Sequence, residues 1–300
     1  MTLTSLRPRF RSDWLQTGLF LSPYLAGTFL LVILPALATL ALSFTHYDAF
    51  RPPSWTGLDN FRQLWSAPLV RRALYNTLLF LGMAVPLRVL GALALALLLQ
   101  HRRRLFGLFR AAVYLPTIIP ESAYALLWLW ILNPVSGPLN LFLQMLGVPA
   151  PAWLTDPAAA HLAIVLMALF QLGEGFVVLL AGRQSIPSTL YEAATVDGAG
   201  PWQCFWKITL PLLLPWLLLL TFRDLVVSLQ NTFTPSFMLT YGGPDYATTL
   251  APLLVYELAF DLGDFGLASA MLVLIYLLLA LLIFGILNLV VGLGGNTDAA

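Results

Sequence analysis

The chain is poor in charge, in thiols and in amines, and each shortage removes a class of protein. Only 10% of its 300 residues are Asp, Glu, Lys or Arg, where a soluble globular chain carries roughly 25%. Two ordinary soluble domains, which the length alone would permit, are therefore excluded. A disordered chain is excluded too, because it needs low hydrophobicity and high charge. A single cysteine, Cys204, rules out an intrachain disulfide framework. The charges nearly cancel, 15 basic against 14 acidic, so no basic face for a nucleic-acid partner is expected. The three histidines, His46, His101 and His161, are scattered, and neither H-E-x-x-H nor C-x-x-C spacing occurs. No metal site is expected, and no Ser/His/Asp arrangement suggests a catalytic residue.

What fills the space is apolar: 59% of the residues, with a mean hydropathy of +0.84. A bilayer core about 30 Å thick needs about 20 apolar residues per helix. Six segments qualify, at roughly 15–44, 74–99, 111–132, 162–182, 208–229 and 265–291. Pro116 and Pro120 should kink the third, and Pro211 and Pro215 lie near the start of the fifth. No strand-like alternation suggests a barrel. Backbone groups in lipid must be bonded internally, so helices remain. The first segment has a basic flank and Ala-Leu-Ala at 36–38, but its apolar run is longer than the roughly 7–15 residues of a signal h-region. It reads as a retained helix. The expectation is an all-α polytopic membrane protein, with tails at 1–14 and 292–300 flanking a domain at 15–291.

Lys and Arg collect on cytoplasmic loops. With the N-terminus inside, that side holds Arg7, Arg9, Arg11, Arg102, Arg103, Arg104, Arg110, Arg183 and Lys207, and the outside only Arg51, Arg62, Arg71 and Arg72. The acids lean outward. Both termini are expected in the cytoplasm of a prokaryotic cell, the chain lying in its inner or plasma membrane. The pair Arg71–Arg72 runs against this and is expected on an interfacial helix leading into the second span.

One connection is too structured to be a plain linker. The cytoplasmic loop 183–211 reads as a helix–turn–helix. Pro187 suits a first turn, and Thr189 with Glu192 has capping-box spacing, so its start is ambiguous. Leu190, Ala193, Ala194 and Val196 give an apolar side. Gly198 and Gly200 allow a left-handed ending, and Pro201 can open a second helix. Trp202, Phe205 and Trp206 form an aromatic cluster at the membrane surface. Two readings stay open: an interfacial helix lying on headgroups, or a docking element exposing Glu192 to a cytoplasmic partner.

The residues also resemble a known family. Glu192-Ala193-Ala194, Gly198, Ile208 and Leu210-Pro211 fill every fixed position of the EAA motif of ABC-importer permeases. Leu239-Thr240-Tyr241-Gly242-Gly243-Pro244 with Thr248-Thr249 is similar to the signature of carbohydrate permeases. Gly57-Leu58-Asp59-Asn60-Phe61, Asn76-Thr77, Phe109-Arg110, Leu115-Pro116, Trp128, Gly137-Pro138-Leu139-Asn140 and Trp153-Leu154 agree as well. The likeness covers about 15–290 and points to the MalF/UgpA-type subunit of carbohydrate-uptake transporters. It implies the ABC type I importer permease fold, with a coupling helix over 187–200. It implies an ATPase-coupling set of Tyr191, Glu192, Ala193, Ala194, Asp197 and Gly198. It also implies a second related permease, two copies of an ATP-binding subunit, an external solute-binding protein and a mono- or oligosaccharide cargo. No Walker A pattern occurs, so no cofactor is expected in this chain, and ATP and Mg belong to the partner ATPase.

Ionisable residues inside a span cost about 2.5–3.5 kcal/mol near its centre, so each needs a reason. Gln171, Glu174, Asp224, Ser228, Gln230 and Asn231 are expected to line the solute path, with ring faces from Phe176 and Phe233. The competing reading is structural: Glu174 pairs with Arg223, or Arg88 matches one of the acids. Glu121, near the start of the third span, is a further intramembrane acid. The external stretch 241–264 is expected to form a short helix or lip touching the binding protein, or an interfacial helix. Three broader alternatives are open: a polyol or glycerol phosphate cargo, a secondary transporter, or a membrane enzyme.

Overall fold

Long apolar runs with few breakers become long helices. The computed structural model describes the backbone over 10–100 and 106–295, and side chains over 17–100 and 106–290. Arg7, Arg9, His101, Arg102, Arg103, Arg104 and Asp298 lie outside the described residues, as do the side chains of Arg11 and Asp13. Four helices are long and apolar enough to cross a membrane: Thr17–Leu42, Pro68–Leu98, Pro201–Thr240 and Phe265–Val290. Two bent pairs raise the possible number of crossings to six. A two-residue ribbon, Thr45–His46 with Ser54–Trp55, is the one sheet among the described residues.

Proline shapes several spans. A proline cannot donate to the carbonyl four residues back and crowds it. π-helical turns at Phe29–Ile33 and Phe205–Thr209 widen the helix in that place, upstream of Pro35 and Pro211. The third segment departs from a kinked single helix. Phe106–Ile118 and Glu121–Ile131 meet at 104°. Ile119, driven out of the helical region by Pro120, takes φ −69°, ψ 130°, and Pro120 continues extended at ψ 138°. The fourth segment is Pro157–Leu169 and Gly173–Gln184, bent by 45°. Asp156 starts it by accepting the Ala159 N–H at 2.8 Å.

The second span starts at Pro68, six residues before the expected Leu74, and absorbs Arg71–Arg72 into its first turns. The pair therefore lies on the span itself; the separate short helix that leads into it, Asp59–Ser66, does not carry it. At 1.5 Å per residue its 31 residues span about 46 Å, longer than the hydrocarbon core, so one end projects beyond it. This helix is the axis of the fold. Ala73, Ala84, Ala92 and Ala96 are almost fully buried, and such small residues let helices pack closely. The helices at 157–169, 173–184, 210–231 and 251–256 surround it.

The external stretch 241–264 contains the expected short helix. Ala251–Tyr256 and the π-helical turn Glu257–Asp261 bury Leu250, Ala251, Leu254, Leu258 and Ala259 in the main core. Asparagines hold the external side together. Asn76 donates to the carbonyls of Tyr246 (2.7 Å) and Thr249 (3.2 Å), and the Thr77 hydroxyl accepts the Ala251 N–H at 2.8 Å. Asn60 donates to the carbonyls of Ser43 and Thr45, both at 2.9 Å. The side-chain amide oxygen of Asn140 accepts the Trp153 indole N–H at 2.7 Å. Three of the carbohydrate-permease-like motifs are thus built around an asparagine that ties a turn to a neighbouring segment.

Candidate functional site

The cytoplasmic loop folds as two short helices. Pro187 is the N-cap, at φ −59° and ψ 136°, and Ser188–Val196 follows. Neither the first-turn placement of Pro187 nor a Thr189–Glu192 capping box is used. Ile186 precedes a proline and is 8% exposed, so its burial fixes where the chain turns. The C-terminus is a Schellman motif: Ala199 N–H to Ala194 O at 2.8 Å, and Gly198 N–H to Thr195 O at 3.1 Å. It requires Gly198 at φ +78°, a conformation costing other residues roughly 1–2 kcal/mol. Gly200 donates its N–H to Gln203 at 3.0 Å, and Pro201 opens the next helix. Trp202, Phe205 and Trp206 make the expected cluster, with ring centroids 5.3–6.0 Å apart.

Glu192, Ala193, Asp197 and Val196 face outward, and Val196 is 88% exposed. Tyr191 faces inward and ties the loop to two spans. Its hydroxyl lies 2.9 Å from Thr209 Oγ1, and that hydroxyl is 3.3 Å from the Cys204 carbonyl. The Arg183 guanidinium sits 4.4 Å from the Tyr191 ring centroid. A cavity of about 530 Å³, lined by Leu97, Arg183, Tyr191, Thr195 and Thr209 among others, lies behind the short helix. The helix is therefore held through side chains beside an open cleft. The sequence reading did not single out Arg183 and Thr209 as its anchors; their signal was a polar residue at each inner edge of the loop.

The intramembrane polar residues separate into two sets. Arg88 meets Asp224 at 2.8 Å and Ser228 Oγ at 3.2 Å, with the three residues 8%, 3% and 1% exposed. The space beside Arg88, Gln171 and Asp224 is about 10 Å³, room for at most one water. Glu174 instead pairs with Arg223, with 47% and 37% of their side-chain surfaces exposed. Gly175 lets the helices approach here: a Cβ would stand 3.1 Å from Leu220. Gln230 is exposed and Asn231 half-buried. Glu121 accepts from Thr234 Oγ1 at 3.1 Å. Phe176 is 1% exposed and offers no ring face to a solute, whereas Phe233 joins a ring cluster. At the external end the Tyr241 hydroxyl donates to Asp261 at 3.0 Å, which pushes its pKa up. Glu257 is also held above the usual carboxylate range, first by burial and then by the charge of Asp261.

These features sit in a recognisable frame. Residues 68–292 match the family described as the inner membrane component of binding-protein-dependent transport systems. The chain belongs to this family. It is thus a membrane-spanning transport permease and not an enzyme. It is 36% identical over 87% of its length to a probable ABC transporter permease, YesP of Bacillus subtilis, covering 85% of that protein. It is 35% identical to the trehalose/maltose permease MalF of Thermococcus litoralis, over 91% of this chain and 92% of that one. The glycerol-3-phosphate permease UgpA of Pectobacterium atrosepticum is 34% identical, over 92% and 94%. A chain of a bacterial alginate ABC transporter, solved with a periplasmic protein carrying an alginate pentasaccharide, superposes with a TM-score of 0.76 at 25% identity, over 93% and 94%. The fold of this permease is that of an ABC importer permease.

Proposed function

We propose that this permease forms half of the translocation pathway of an ATP-driven importer for a mono- or oligosaccharide. Six crossings, counting each bent pair as one, would leave both termini on one side of the membrane, and the Lys/Arg bias of the loops favours the cytoplasm. A second related permease completes the pathway. Of the two ATP-binding subunits, one docks on this chain's coupling helix and the other on the second permease, and an external binding protein delivers the sugar. Nucleotide and magnesium stay with the ATPase.

The observation that carries this reading is the placement of the short helix Ser188–Val196. It exposes Glu192 and Val196 while Tyr191 grips Thr209 and Arg183 on two different spans. Such a lever converts movement of a docked partner into relative movement of the helices 173–184 and 210–231. A sugar cargo is supported by the relatives named for trehalose and maltose and by the alginate importer. Glycerol phosphate is the competing cargo, on the strength of the UgpA relatives. Arg88 is paired with Asp224 and Arg223 with Glu174, so neither is free to hold a phosphate. Reconstitution of the four-component complex in proteoliposomes tests the reading. ATP-dependent sugar uptake is expected in the wild type. Glu192→Lys should abolish it while the two permeases stay associated. Uptake that persists in Glu192→Lys, or that needs no ATPase, overturns it.

A further inference from the structure

Five aromatic rings form a continuous strip on the external half of the molecule. Phe233 stacks on Phe237 at 5.4 Å, and Phe237 meets Tyr241 at 5.2 Å. Tyr256 touches Phe233 at 5.1 Å and Phe237 at 5.4 Å, and leads to Phe260 at 5.1 Å. The rings come from two elements, the end of Pro201–Thr240 with its following turn and the external segment 251–261, each with four-residue spacing. Tyr241 holds φ +47°, a backbone conformation uncommon for a bulky residue, and from it the ring reaches Phe237.

Three observations separate this strip from ordinary packing or a lipid-facing aromatic belt. No ring in it is fully buried, and Tyr241 and Phe260 are 53% and 68% exposed, so part of the aromatic surface remains open. Its outer end carries carboxylates: Asp261 accepts the Tyr241 hydroxyl, and Glu257 lies one turn earlier. Carboxylates against lipid are costly, so this side faces water or another protein. Its inner end runs into polar side chains, with Gln230 exposed one turn before Phe233 and Thr234 bonded to Glu121.

We propose that the strip is a stacking track on which the pyranose rings of the cargo pass from the external mouth to Gln230 and Asn231. The proposal rests on the sugar-importer reading above. A pyranose has an apolar C–H face and a hydroxylated rim. The face lies on successive aromatic rings, with steps of 5.1 Å from Phe260 to Tyr256 and from Tyr256 to Phe233. The rim exchanges hydrogen bonds with Asp261 and Glu257 at the mouth and with Gln230 further in. The Tyr241–Asp261 bond is exposed, so a sugar hydroxyl can replace it at little cost.

The test uses the assembled transporter in proteoliposomes with its binding protein. Glucose, maltose, trehalose, lactose and glycerol 3-phosphate are offered as cargo. Phe237→Leu, Tyr256→Leu and Phe260→Leu keep apolar bulk and remove the ring; Phe237→Tyr, Tyr256→Phe and Phe260→Trp keep it. The expected result is saccharide uptake reduced about tenfold by each Leu variant, the scale of one lost ring contact. Binding-protein-stimulated ATP hydrolysis is retained, and uptake is restored by each ring-keeping variant. Leu variants that import at the wild-type rate overturn the track. So do Leu variants that lose hydrolysis together with uptake, because the strip is then a packing element. A wild type that imports glycerol 3-phosphate and no saccharide overturns the sugar reading itself, a result visible without any variant.

Discussion

Arg88 and Arg223 carry the same charge on neighbouring spans and meet opposite surroundings. Arg88 and Asp224 are enclosed together, so removing one leaves the other charged and dry. Asp224→Ala is expected to cost on the order of 3–5 kcal/mol, and an apolar replacement of both partners to recover most of it. Thermal midpoints of the purified complex would show this; equal midpoints for Asp224→Ala and wild type would contradict it. Glu174 and Arg223 remain about half exposed, so loss of one leaves a charge that water can still reach. Glu174→Gln should barely move the midpoint but lower uptake roughly tenfold, about one charged hydrogen bond. Unchanged uptake kinetics would make the pair structural. The sequence exposed all four residues as intramembrane charges. It offered Glu174 with Arg223 as one reading, which the structure shows, but could not say which acid Arg88 would meet, because that depends on which helices become neighbours.

The coupling loop was the most legible element, because its shape is set by residues close in sequence. Gly198 and Pro201 act through local backbone rules and take the positions expected of them, whereas Gly200 is extended at φ −76° and caps the second helix instead of ending the first. The exact start of the helix was not legible, since it depends on where Ile186 is buried. A Cβ on Gly198 meets open space, so Gly198→Ala tests the backbone alone. It should destabilise the loop by about 1–2 kcal/mol and uncouple ATP hydrolysis from uptake, seen as fewer sugars imported per ATP. A normal ratio would mean the left-handed ending is dispensable. The bent third segment shows the other limit: two prolines announced a break, but its 104° angle came from consecutive extended residues and from packing.

At the scale of the molecule, the isolated chain leaves much apolar surface open. No residue of the helix Thr17–Leu42 is buried, and Leu31 is 79% exposed. Lipid can cover one side of such a helix, and a second permease the other. A cysteine at Leu25 or Leu31, in a Cys204→Ser background, is expected to cross-link to the partner permease in the assembled complex. Labelling by a lipid-soluble maleimide alone, with no cross-link at either site, would place this helix wholly in lipid. By itself the sequence determined that the chain is helical, membrane-embedded and built around a structured cytoplasmic loop. Hydropathy, proline and glycine act locally, so these features need no knowledge of the fold. Only the tertiary structure decided that Arg88 closes on Asp224, that Glu174 and Arg223 stay open, and that rings from two separate segments make one strip. Those outcomes depend on which helices become neighbours, and close-packed helices fix that through shape.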